Sequence, residues 1–196
     1  MKLIFATNNQ HKVEEIQAAI DNSFELVTLK KAGIDIDIPE PHDTLQANAS
    51  EKSWTIYKLT GTNCFSEDTG LEVEALYGAP GVKSARYAGD DRSFDKNIEK
   101  LLLELGENKN RSARFRTVIS LVIEGKEFFF EGVCKGKIER APRGTRGFGY
   151  DPVFSPLNSP KTFAEMSIEE KGMFSHRKLA SDQLVAFLQK QAGKIY

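Results

Sequence analysis

The feature that most constrains this chain is its opening. A continuous apolar run, Leu3 to Ala6, is followed by Val13, Ile16 and Ile20 at helical spacing and then by a second apolar run from Phe24 to Leu29. An apolar run without polar alternation predicts a buried strand, and the spacing of the next three apolar residues predicts a helix with one apolar side. Strand, helix and strand in that order read as a βαβ unit with a right-handed crossover. The chain is thereby directed to an α/β fold.

The remaining pattern extends the sheet. Ile34 to His42 reads as a loop, with Pro39 and Pro41 around Glu40, and Asp43-Thr44 starts a helix carrying Leu45, Ala49, Lys52, Ile56 and Leu59. Asn63 to Ser66 is a short strand candidate that delivers Asp68 to a strand end, where open α/β sheets place their ligands. Ser93 caps a helix whose stripe is Phe94, Ile98, Leu101, Leu102 and Leu105, stopped by Gly106. Ala113 to Glu124 and Glu127 to Lys137 read as two long strands of an antiparallel ribbon turning at Gly125, and a last helix runs from about Ser175 to Gln191. With no repeat, low-complexity tract or linker, residues 1–196 are expected to form a single domain with a mixed, elongated sheet flanked by helices.

Composition excludes several functions. The 27 Lys and Arg nearly balance the 28 Asp and Glu, a net charge of −1, so no overall field favours a nucleic-acid backbone. Cys64 and Cys134 are too few for a disulfide framework or a structural zinc site and suit a reducing compartment. Neither a signal-peptide core nor a membrane-spanning stretch is visible, so a cytoplasmic protein is expected, with no membrane partner.

Four regions carry chemistry. Ser66-Glu67-Asp68-Thr69-Gly70-Leu71 sets adjacent carboxylates after an apolar run, and the chain returns through Gly78-Ala79-Pro80-Gly81 to Lys83 and Arg86. A magnesium ion takes hard oxygen ligands, and a polyphosphate takes both that ion and fixed cations; the alternative is a strand ending in a solvated acidic turn. Thr7-Asn8-Asn9-Gln10-His11-Lys12 joins the first strand to the first helix and can offer backbone N–H groups to phosphate, although it lacks the Walker A spacing. Taken alone, the hexapeptide reads first as an ordinary Asn-capped helix. Arg146-Gly147-Phe148-Gly149-Tyr150-Asp151 places aromatic rings and a carboxylate among glycines, fit to stack a base or simply to cover the core. Lys171, His176 and Arg177 are cations that can converge on a base or phosphate, or face solvent.

Together these motifs, with Asn48-Ala49 to Lys52 and Ser84-Ala85-Arg86-Tyr87, resemble the inosine triphosphate pyrophosphatase family, in the family's order and over nearly the whole chain. The resemblance implies two lobes with a central active-site cleft, a homodimer, and Mg²⁺-dependent hydrolysis of ITP, dITP and XTP to the monophosphate and pyrophosphate. Carried over residue by residue, it implies Asp68 as general base or metal ligand and Glu40 as second metal carboxylate. Thr7, Asn8, Asn9, Lys12, Lys52, Thr69 and Arg86 then bind the triphosphate, while Phe148, Gly149, Tyr150, Asp151, Lys171, His176 and Arg177 form the base pocket. One departure stands out: Asn8 occupies a position where the family usually has Gly; Asn is the non-glycine residue that best tolerates positive φ, so the loop is expected to keep its shape. A pyrimidine-preferring pyrophosphatase and a non-catalytic nucleotide sensor are the competing readings.

Overall fold

The computed structural model describes residues 1–20 and 24–192. Its strands are β1 (Lys2–Phe5), β2 (Glu25–Thr28), β3 (Cys64–Val73), β4 (Pro80–Gly81), β5 (Ser112–Ile123), β6 (Lys126–Ile138) and β7 (Phe154–Pro156). Its helices are α1 (Gln10–Ala19), α2 (Leu45–Thr60), α3 (Phe94–Leu105), α4 (Ile168–Gly172) and α5 (His176–Ala192). The strands form one sheet in the order β2-β1-β3-β5-β6-β7, with β4 paired to β3. β1 is parallel to β2, with Leu3 opposite Leu26, and parallel to β3, with Ile4 opposite Cys64. β4 on β3 and β7 on β6 are antiparallel, so the sheet is mixed, as the sequence implies.

The chain divides into two compact units, residues 1–68, 117–132 and 177 onward in the first, and 69–116 and 133–176 in the second. In the first unit strand alternation sorts the core into two faces. Leu3, Phe5, Leu26, Phe65, Ile119 and Leu121 pack with Val13 and Ile16 of α1 and Ala180, Leu184 and Leu188 of α5. The intervening Ile4, Ala6, Val27, Cys64 and Val122 pack with Ile56 of α2. The sheet of this unit is thus covered by α2 on one face and by α1 and α5 on the other. In the second unit α3 buries Ile98, Leu101 and Leu105 against Leu71 and Val73 of β3, Phe115 of β5, Ile138 of β6, and Phe154 and Phe163. Caps end the helices as the residue types predict: Thr44 Oγ1 accepts from Ala47 N (3.1 Å), Ser93 Oγ accepts from Lys96 N (3.4 Å), and Gly61 closes α2 at φ 64°.

One boundary differs from the sequence reading. β3 does not stop before Asp68 but continues to Val73, so Asp68 lies within a strand rather than at its end. Thr69-Gly70 resembles a turn by composition, yet Gly70 is in the ladder because β4 comes close: a Cβ there would lie 2.6 Å from the Gly81 carbonyl oxygen. Among the described residues, no helix is long and apolar enough to cross a membrane.

Candidate active site

Glu67 and Asp68 are adjacent in sequence but, on a strand, face opposite sides of the sheet. Their partners confirm it. Asp68 faces α2, where Asn48 and Lys52, four residues apart, lie on one side of the helix. Lys52 Nζ is 3.1 Å from Asp68 Oδ1 and 2.6 Å from Glu40 Oε1. Asn48 Nδ2 donates to Asp68 Oδ2 (3.4 Å) and to the His42 carbonyl (3.1 Å), while its Oδ1 accepts from His42 N (2.9 Å). Glu40 arrives by a simple device. Ile34, Ile36 and Ile38 pack on the α2-side core, and the same two-residue period turns Glu40 inward.

Burial pushes the Asp68 carboxyl above the ordinary carboxylate range, with Glu40 adding to the effect and Lys52 and Lys12 opposing it. Burial alone would draw the Lys52 ammonium down, but Asp68 and Glu40 hold it above its usual value. Two carboxylates thus share one cation in a largely buried setting. Such oxygen donors suit a magnesium ion, which takes one or two carboxylates and completes its shell with water and phosphate oxygens. Among the described residues no group of three or more His, Cys, Asp or Glu converges into an all-protein cage.

Glu67 faces α1 and α5. Arg177 binds it through Nε (2.7 Å to Oε2) and Nη2 (3.0 Å to Oε1), donates through Nη1 to Glu15, and leaves Lys12 Nζ 3.1 Å from Glu67 Oε1. Burial opposes the charge on Glu67, but Arg177 and Lys12 outweigh it and hold the carboxyl down at about 2. Arg177 is 2% exposed; burial works against its charge, but Glu67 and Glu15 outweigh it and hold the guanidinium ionised. The sequence grouping of Lys171, His176 and Arg177 therefore separates. Successive residues on a helix start point about a third of a turn apart, and Arg177 is committed to buried carboxylates.

The loop ahead of α1 is a capped helix start. Asn9 Oδ1 accepts from His11 N (3.0 Å) and Lys12 N (3.3 Å), and Thr7 Oγ1 accepts from Asn9 N (3.2 Å). The N–H groups of His11 and Lys12 are thus taken by the protein itself. Asn8 does not use the positive φ that asparagine tolerates; its Nδ2 donates to the Ile36 carbonyl (2.9 Å), tying the loop to the segment that carries Glu40.

In the second unit, Asp151 Oδ2 accepts from Phe148 N (3.0 Å) and from Lys171 Nζ (2.6 Å). The carboxylate folds back over Gly147, where φ is 73° and a Cβ would lie 2.0 Å from Asp151 Oδ2, so glycine is required on both counts. Gly149 follows at φ 59°. The Lys171 ammonium lies 5.4 Å from the Phe148 ring centroid and 5.1 Å from that of Phe163. Tyr150, 4% exposed, donates through its hydroxyl to the Ser84 carbonyl (2.8 Å), so it is a core residue while Phe148 remains half-buried. His176 stacks on Phe115 at 4.7 Å and 12°. Thr69 is half-buried on β3, and Arg86 is half-buried at the end of the short helical turn 84–86. Both belong to the second unit, whereas Lys12, Lys52, Glu40 and Asp68 belong to the first.

Sequence reasoning did not assign roles to Asn48 or Glu15. Asn48 has a readable signal, since it lies one helical turn before Lys52 on the same face. Glu15 pairs with a residue 162 positions away, which local spacing does not reveal.

The sequence profile of the Ham1 family matches residues 3–187. This chain belongs to the Ham1 family. Within it, the chain is 51% identical over 188 residues to the dITP/XTP pyrophosphatase of Porphyromonas gingivalis, covering 95% of this chain and 97% of that one. It is 48% identical to the protein of the same name from Flavobacterium johnsoniae, covering 96% and 98%. The Staphylococcus aureus Ham1 structure superposes with a TM-score of 0.88 at 38% identity, over 97% of this chain and all of that one. The fold class expected from the sequence is therefore that of the Ham1 structures.

Proposed function

We propose that this Ham1-family chain hydrolyses deaminated purine nucleoside triphosphates, XTP, dITP and ITP, at the α–β phosphoanhydride to the monophosphate and pyrophosphate. The observation that carries the reading is the Asp68, Lys52 and Glu40 cluster, in a chain about half identical to proteins named dITP/XTP pyrophosphatase.

Asp68 is the general base. Attack at the α-phosphorus needs a water relieved of its proton, and the Asp68 carboxylate, fixed between Asn48 and Lys52, is the group placed to accept it. Asn48, bonded to Asp68 Oδ2, orients the carboxylate. Lys52 and Lys12 hold the polyphosphate and offset charge on departing pyrophosphate. Thr7, Asn8 and Asn9 shape the loop beside Lys12, with Thr69 and Arg86 as further phosphate contacts. Glu40 and Asp68 would hold Mg²⁺, which supplies positive charge against the phosphate oxygens when bound.

For the base, the half-buried Phe148 ring is the stacking surface, and Gly149 leaves the backbone open to a base edge. Lys171 puts a cation beside that ring, favouring the 6-oxo acceptor of hypoxanthine and xanthine over the amino donor of adenine. Asp151 and Tyr150 brace this loop from beneath, His176 is fixed by ring stacking, and Arg177 acts through Glu67. The homodimer implied by the resemblance belongs to the same reading.

The test is pyrophosphate release from XTP, ITP, dITP, GTP, ATP, dTTP and UTP, with and without Mg²⁺. Metal-dependent release from XTP, ITP and dITP is expected, falling by about 10²-fold or more in Asp68→Asn. Activity confined to pyrimidine triphosphates, or none, would refute it.

A further inference from the structure

We propose that Lys52 is an internal competitor of the divalent cation: its ammonium occupies the position between Glu40 and Asp68, and a metal binds there only as that ammonium withdraws. This inference rests on reading Glu40 and Asp68 as the metal carboxylates.

The ammonium contacts one oxygen of each carboxylate, Glu40 Oε1 at 2.6 Å and Asp68 Oδ1 at 3.1 Å. A small divalent ion takes carboxylate oxygens at about 2.0–2.1 Å, which would set a double positive charge within about 4 Å of the nitrogen. In a site where Lys52 and Asp68 side chains are each only 9% exposed, little water screens that repulsion. The two cations therefore compete for the same oxygens.

Withdrawal is mechanically simple for one partner only. Lys52 ends in a point charge on a flexible four-carbon stem. Asp68 is held independently, because its other oxygen accepts from Asn48, itself bonded twice to the His42 backbone. When the ammonium leaves, the carboxylate keeps its direction.

The consequence is a coupling between two ligands. A polyphosphate that draws the Lys52 ammonium to its own oxygens vacates the carboxylates, so each ligand raises the affinity for the other. The substrate class this favours is an anion that presents phosphate to the lysine while its metal takes the carboxylates. The same exchange leaves the buried Asp68 carboxylate beside a cation whether or not metal is bound, which a buried charge requires.

The experiment measures Mn²⁺ binding to the full chain without nucleotide, by calorimetry and by electron paramagnetic resonance, for wild type, Lys52→Met and Lys52→Arg. Lys52→Met is expected to bind Mn²⁺ about tenfold or more tighter than wild type, while Lys52→Arg, which keeps a cation, stays within about threefold of it. If Lys52→Met does not fold, Lys52→Gln, an uncharged donor, reads the same quantity. Binding in the uncharged variants that equals or falls below wild type overturns the role of Lys52 and leaves the metal reading standing. Mn²⁺ binding by none of the proteins overturns the metal reading itself.

Discussion

Arg177→Met removes the guanidinium paired with Glu67 and Glu15, and the cost can be worked from the structure. Glu67 has a fully buried side chain, and its carboxyl lies at about 2 against an ordinary 4.5. At about 1.36 kcal/mol per pH unit, that depression represents about 3 kcal/mol of preference for the ionised form. Its folded value lies below the unfolded one, so this stability is fully present above about pH 4.5 and is lost as pH falls towards 2. Without Arg177, Glu67 must stay charged with only Lys12 beside it or take up a proton at neutral pH. Breaking a buried pair in this way costs about 3–5 kcal/mol, a large part of the 5–15 kcal/mol typical of a domain. Urea unfolding followed by circular dichroism at pH 7 and pH 4 measures it. The variant should lose about 3–5 kcal/mol at pH 7 and less at pH 4, because protonation of Glu67 becomes easier there. Adding Glu67→Gln should restore part of the loss at pH 7. A cost below about 1 kcal/mol, or one equal at the two pH values, would refute the claim that Arg177 serves as a buried counter-ion.

Two further predictions concern packing and reactivity. Gly70→Ala places a methyl 2.6 Å from the Gly81 carbonyl oxygen and should cost about 1–3 kcal/mol in urea unfolding by forcing β4 off β3; an unchanged midpoint would refute that close approach. Burial pushes the thiols of Cys64 and Cys134 up to about 12, so Ellman's reagent at pH 8 should label neither in the native protein and both in denaturant. Native labelling at the rate of free cysteine would count against both assignments.

Most of the fold was legible because its signals are local. The apolar run of β1, the Val13 and Ile16 spacing of α1 and the Ser93 cap of α3 each depend on residues within a few positions. The extent of β3 was not, because the strand is continued by distant partners, β5 along the sheet and β4 at Leu71 and Glu72, and Gly70 reads as a turn until Gly81 is seen against it. The candidate site was legible as residue types and motifs, but its internal pairings were not. Tyr150 and Asp151 sit in a loop whose composition suits stacking and base reading, yet one is a core ring and the other a brace for Phe148 and Lys171. The inward turn of Glu40 was written in the alternation of Ile34, Ile36 and Ile38, a two-residue period hidden by the prolines that follow.

By itself, then, the sequence determined the α/β class, the order of the elements and the family to which its motifs point, since periodicity, caps and spacing act over short stretches of chain. Tertiary structure alone decided how the charges are shared. Strand alternation sends Glu67 to Arg177 and Glu15, and Asp68 to Asn48, Lys52 and Glu40. Adjacent carboxylates of like chemistry thereby become different groups, one held firmly ionised and the other raised, because burial and the sign of the nearest charges are properties of the folded chain.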